Sequence, residues 1–197
     1  MSDRPADPIA AAMAAIDAAH AADPELRDGR PAELAYAEAM TQWIERLHPA
    51  PGPALRLAAR AQHLERWTLP RSAYPMDRPG YHAWRIAQYA RQAARARELC
   101  LGAGIDPAIA ERAALLVAKK LPRDPEGQAL EDAACLVFLE REVSTFAADH
   151  PDYTADKVVD ILRKTARKMS AQARAFAAAL PMAEPLRALL LRACAGL

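Results

Sequence analysis

Glycine is scarce in this 197-residue chain, with seven in all, and none falls in a phosphate-loop pattern. No G-x-x-x-x-G-K-[ST], G-x-G-x-x-G or G-x-S-x-G run appears, which excludes P-loop, Rossmann and α/β-hydrolase readings. Cysteine is equally sparse. Cys100, Cys135 and Cys194 are odd in number and lack paired spacing, so neither a disulfide framework nor a zinc knuckle is expected. They read as buried thiols of a protein in a reducing cytosol. No run of about 18 apolar residues exists, so no membrane span is expected. The first residues carry Asp3, Asp7 and Asp17 and no basic-then-apolar leader, which argues against a signal peptide and for a cytoplasmic protein. Neither charge sign dominates: 26 Lys and Arg stand against 25 Asp and Glu, so a nucleic-acid or membrane signal must be local. Alternating strand runs and fixed-period repeats are also missing.

What remains is helix. Asp-Pro pairs recur at 7–8, 23–24, 106–107 and 124–125. An Asp side chain accepts orphan N–H groups at a helix start, and Pro at the first helical position loses no bond. Helical spacing predicts segments over 7–23, 31–48, 54–67, 81–104, 107–120, 125–149 and 155–170, then one or two short helices to the end. Residues 68–80, with Pro70, Pro75, Pro79 and Gly80, read as a loop. The fold class is therefore all-α, a single-domain bundle of about eight or nine helices over 1–197. Its core is expected over 31–180, between an N-terminal helix within 1–22 and a C-terminal helix within 181–197. The run "AACLVFL" is apolar nearly all round and belongs at the centre, which makes the adjoining Glu131 and Asp132 conspicuous.

One stretch breaks the pattern. Residues 62–85, "QHLERWTLPRSAYPMDRPGYHAWR", gather His63, Arg66, Trp67, Arg71, Tyr74, Arg78, Tyr81, His82, Trp84 and Arg85. Between Arg60 and Arg97 eight Arg face only Glu65 and Asp77, a local excess of about +6. Arg offers a planar fork suited to phosphate or carboxylate. The aromatic rings suit stacking on a base or on the guanidinium groups. On the segment 155–170, Lys164 and Lys168 share a face and supply a candidate second wall of an anion pocket. The bland reading is a loop pinned by Arg–carboxylate pairs, with Arg91, Arg95 and Arg97 on a solvated face.

His63, Glu38 and Asp132 are a chemically sensible set for a divalent metal, manganese, iron or zinc, with Glu65 and Glu131 as alternates. His82 and Glu131 are the further candidates for proton transfer beside His63. None of these has tight ligand spacing.

The blocks "AQHLERWTLPRSAYPMDRPGYHAWR", "LEDAACLVFLE" and "ILRKTARKMS" together resemble the family catalogued as domain of unknown function 4202. The resemblance implies a helical domain over nearly the whole chain and carries no reaction with it. A weaker similarity is to the HD superfamily of metal-dependent phosphohydrolases. There "LAARAQHLE" is similar to the His-Asp block, with His63 at the His position. "LEDAACL" is similar to the late-Asp block, with Asp132 at that position. Leu64 stands where that superfamily has Asp, and Glu38 is the nearest candidate for its first His.

Three functions follow. The first is a metal-dependent hydrolase acting on a phosphorylated small molecule or nucleotide. Its anion would be held by Arg66, Trp67, Arg71, Tyr74, Arg78, Tyr81, Arg85, Lys164 and Lys168. The second is a non-catalytic module binding nucleotide, RNA or phosphate through the Arg and aromatic groups. The third is a structural adaptor whose apolar C-terminal helix is a partner or homo-oligomer surface. No membrane partner is expected.

Overall fold

The computed structural model describes residues 7–121 and 123–197; residues 1–6 of the expected N-terminal segment lie outside the described residues. The fold is all-α, with ten α-helices among the described residues. The chain divides into two compact units, 1–127 and 128–197.

Unit 1 begins with α1 (Pro8–His20), started as the sequence predicts by Asp7, whose carboxylate accepts from Ile9 N–H at 3.0 Å. Asp23-Pro24 starts no helix. The chain instead makes a small hairpin, β1 (Leu26–Arg27) against β2 (Arg30–Pro31), turned by Asp28 and Gly29, both at positive φ. A two-residue Asp-Gly turn is a strong hairpin signal, and here it joins strands of only two residues each, too short for an alternating pattern. The Asp23 carboxylate accepts from Glu25 N–H and from Glu33 N–H, so it satisfies the start of α2 (Ala32–Leu47) from ten residues away.

α3 spans Pro53–Arg60 and ends earlier than its apolar pattern predicts. Two 3₁₀ turns follow, Arg66–Thr68 and Arg71–Ala73, within the expected loop. α4 (Arg78–Gly102) is capped by Asp77, which accepts from Gly80 N–H at 2.7 Å. It stops where Gly104 takes φ +82° and Ile105 N–H reaches back to the Cys100 carbonyl, while Ile105 buries its side chain. That is the six-to-one closure expected of a glycine just beyond a helix. Asp106 then caps α5 (Pro107–Val117) through Ala108 and Ile109 N–H. α4 and α3 both pack on α5, and α1 packs on α3 and α4. Ile16, Met40, Trp43, Ile44, Leu57 and Leu64 are buried there.

The last turn of unit 1 opens α6 (Pro125–Val137), where Asp124 accepts from Glu126 and Gly127 N–H. The segment 125–149, expected as one helix, is interrupted. A π-turn at Phe138–Glu142 separates α6 from α7 (Val143–Asp149), which adds one helix to the expected number. In unit 2, Thr154 caps α8 (Ala155–Ala166) and Ser170 caps α9 (Ala171–Ala178). The C-terminal α10 (Leu186–Cys194), which the adaptor reading takes as a partner or homo-oligomer surface, packs on α8 and α9 and buries Leu190 and Ala193. No helix is long and apolar enough to cross a membrane among the described residues.

Candidate functional site

The site forms where α3 fails to continue. His63 and Glu65 stand at φ +62° and +50°, the left-handed region that side chains avoid, and they flank a Leu64 that is 1% exposed. Each such residue costs about 1–3 kcal/mol. Burying Leu64 returns about 2–5 kcal/mol, the usual loss on Leu→Ala, and α4 supplies the remainder. From one α4 face, Trp84 Nε1–H donates to the Leu69 carbonyl at 2.9 Å, and Gln88 Nε2 to those of Arg66 and Leu69, also at 2.9 Å. Arg91 donates to the Glu65 carbonyl at 3.0 Å, and Arg95 to the Glu65 carboxylate at 3.2 Å. Residues 84, 88, 91 and 95 follow helical spacing, so one stripe holds the whole turn. Arg91 and Arg95 are thus clamps rather than a solvated face. Arg97 pairs with Glu111 at 2.9 Å.

The flipped turn presents His63 toward α2. Its Nδ1 lies 3.1 Å from Glu33 Oε2, and its ring stacks on Tyr36 with centroids 4.2 Å apart and planes 7° apart. Arg66 Nη1 lies 3.2 Å from each ring nitrogen. Side-chain exposure is 28% for His63 and 18% for Glu33, so the pair is reachable but partly desolvated. Burial pushes the Glu33 carboxyl up. The His63 hydrogen bond and the charges of His63 and Arg66 outweigh it and hold Glu33 below the usual carboxylate range.

Behind this pair sits His20, at the end of α1 and 0% exposed. Its Nε2 is 2.9 Å from the Arg60 carbonyl, which only accepts, so Nε2 carries the proton and Nδ1 carries a lone pair. That Nδ1 is a buried atom without a hydrogen-bond partner among the described residues. Burial lowers the His20 pKa, and the Arg60 bond and the charges of Glu33 and Asp17 offset only part of this. Arg60 is fixed in turn by both carboxylate oxygens of Asp17, at 2.5 and 2.7 Å.

The other anticipated residues are distributed as follows. Glu38 is paired with Arg30 at 2.7 Å, and Glu65 with Arg91 and Arg95. Arg71 donates to the Tyr74 and Asp77 carbonyls and so ties its own loop. Trp67 and Tyr74 are half-buried, and Trp84 is buried at 7% with its N–H committed. Arg78, Tyr81 and His82 are exposed, with the His82 ring edge-on to Tyr81 at 5.9 Å. Arg85 donates to the Tyr89 hydroxyl. In unit 2, Lys164 pairs with Asp160 at 2.8 Å and Lys168 with Glu131 at 3.3 Å. Asp132 is buried, and its Oδ1 accepts from Ser170 N–H at 2.8 Å and from Gln128 Nε2 at 2.9 Å. The partner that a buried carboxylate requires is thus a backbone amide at the start of α9. Among the described residues no group of three or more His, Cys, Asp or Glu is placed to hold a metal ion.

Glu33, Tyr36 and His20 escaped the sequence reading. Glu33 and Tyr36 are three apart on α2, and His20 lies four beyond the buried Ile16, so helical spacing was the signal for both.

The family model described as Domain of unknown function (DUF4202) matches residues 10–190. No curated protein and no solved structure matches the chain. With nearly the whole chain matched, it belongs to the family described as Domain of unknown function (DUF4202).

Proposed function

We propose that unit 1 carries an acid–base site for a phosphorylated small molecule, with hydrolysis as the reaction class. The observation that carries this reading is the held histidine. His63 sits in a costly backbone conformation, with Nδ1 on an ionised Glu33, its face on Tyr36 and the Arg66 guanidinium 3.2 Å from both ring nitrogens. A carboxylate that accepts from one imidazole nitrogen orients the other for proton transfer. The Arg66 charge acts on Glu33, and its one guanidinium nitrogen near His63 leaves other N–H groups to serve a ligand anion. Glu33 is the orienting residue in this scheme, His63 the proton donor and acceptor, and Arg66 the anion holder.

The experiment is a turnover screen of phosphate monoesters and nucleotides, read as released inorganic phosphate, with wild type, His63→Asn and Glu33→Gln. General acid–base catalysis is worth about 10²–10⁴-fold. His63→Asn is expected to lose at least 10²-fold on any substrate turned over, with Glu33→Gln losing less. Turnover that His63→Asn leaves intact overturns the assignment.

A further inference from the structure

The start of α4 is one-sided in charge. From Arg78 to Arg97 the helix carries five Arg and no Asp or Glu. Three of the five are committed, Arg91 and Arg95 to Glu65 and Arg97 to Glu111. Arg78 and Arg85 stand on another face. Helical spacing puts Arg78, Tyr81, His82, Arg85 and Tyr89 on one stripe, roughly a quarter-turn from the stripe that grips the turn at His63. Arg78, Tyr81 and His82 are exposed, and Arg85 and Tyr89 are half-buried.

Cations and rings alternate along this stripe. The Arg85 guanidinium carbon lies 5.7 Å from the Tyr81 ring centroid, and that of Arg71, from the preceding loop, lies 5.9 Å from it. Arg85 also donates to the Tyr89 hydroxyl at 3.0 Å, and Lys119, just beyond α5, places its Nζ 5.4 Å from the Tyr89 centroid. Arg71 is fixed by the Tyr74 and Asp77 carbonyls, so its remaining N–H groups keep a set direction. Asp77 is the one acidic residue between Arg66 and Arg97, and its carboxylate accepts from Gly80 N–H.

The length of this track decides between a small anion and a polymer. Arg78 and Tyr89 are about 16 Å apart along the axis at 1.5 Å per residue. A stacked nucleic-acid strand places a phosphate about every 3.4 Å. One phosphoryl group cannot meet Arg78 and Lys119 together, whereas successive phosphates can. Cations alone would suit a duplex equally well. Exposed rings between them favour unpaired bases, whose faces are open to stacking. The large aliphatic side chains exposed between residues 71 and 90 are Met76 and Ile86, fewer than an apolar face inserted in a bilayer needs.

We propose that this face of α4 binds a single-stranded polynucleotide, with Arg71, Arg78, Arg85 and Lys119 on phosphates and Tyr81 and His82 stacked on bases. The surface goes beyond the acid–base reading and stands whether or not His63 turns over a substrate.

The test is fluorescence anisotropy of the full chain with a labelled twelve-nucleotide oligouridylate at several salt concentrations. Each phosphate neutralised on a single strand contributes about −0.7 to the slope of log K against log salt, so four cations predict a slope of about −3. Arg78→Gln is expected to reduce that slope by about 0.7. Tyr81→Ala is expected to weaken binding about 5-fold or more at fixed salt. Lys164→Gln, on α8 in unit 2, is expected to change neither. All three side chains are exposed, so each variant keeps the fold. No binding at low salt overturns the proposal. So does binding that Arg78→Gln and Tyr81→Ala leave intact, or that Lys164→Gln weakens equally. Tighter binding to a duplex of the same length, or binding to phosphatidylserine vesicles with none to the oligonucleotide, puts that partner in place of the single strand and also overturns it.

Discussion

Gly80→Ala separates what helix propensity predicts from what the packing of the site loop predicts. Gly80 lies in the first turn of α4 at ordinary helical φ, so propensity alone awards Ala about 1 kcal/mol. The structure reverses the sign. A Cβ at Gly80 would stand 2.1 Å from the Pro75 carbonyl oxygen, 2.8 Å from its carbon and 2.9 Å from its Cβ. The nearest atoms are backbone, so the loop that carries Arg71 and Tyr74 must move. Overpacking of this kind costs about 1–3 kcal/mol. Moving the loop also stretches the 2.7 Å bond from Gly80 N–H to Asp77, a cap worth about 1 kcal/mol. The net is a loss of about 1–3 kcal/mol, or roughly 2–12 °C in Tm for a protein of this size. All three tryptophans, Trp43, Trp67 and Trp84, lie in unit 1, so a thermal melt followed by tryptophan emission reports on this unit alone. A variant melting above wild type refutes the reasoning, because propensity would then have won and the α4 start would not be seated against Pro75.

Four further outcomes are expected. His20 is neutral in the fold at a pH where the unfolded chain takes a proton, so stability falls as pH drops from about 6.5 towards the lower folded value. The slope reaches at most about 1.4 kcal/mol per pH unit, and His20→Asn should remove it in urea melts across that range. Glu33 acts in a lower window, since its depressed carboxyl keeps its contribution until pH falls below about 4.5. Asp132→Asn should cost about 1–2 kcal/mol and speed hydrogen exchange at Ser170 N–H, while leaving phosphate binding in unit 1 unchanged; lost phosphate binding would assign Asp132 to the site. Incubation with manganese, iron or zinc followed by elemental analysis should give no stoichiometric metal that His63→Ala removes. A one-to-one metal lost in that variant would instead support the Glu38, His63 and Asp132 set.

The helical class and most helix starts were legible because they are local. Asp7, Asp106 and Asp124 cap the helices that their Asp-Pro pairs announce. Asp23 looks identical in sequence, yet its carboxylate serves α2 across a hairpin, a partnership that spacing does not encode. The periodicity of 54–67 was equally misleading. Leu64 keeps its apolar position, but the backbone on either side reverses because α4 grips it, and only the tertiary contacts carry that information. His63 and Arg66 stood out by composition. Glu33 and Tyr36 did not, since a glutamate in the first turn of a helix is ordinary until its neighbour is known.

The most direct test of the central claim is a crystal structure of the full chain grown with orthophosphate or vanadate. The account predicts the anion within hydrogen-bond distance of both Arg66 and His63 Nε2, with Glu33 still on Nδ1. An anion bound elsewhere and none at Arg66 and His63 would contradict it.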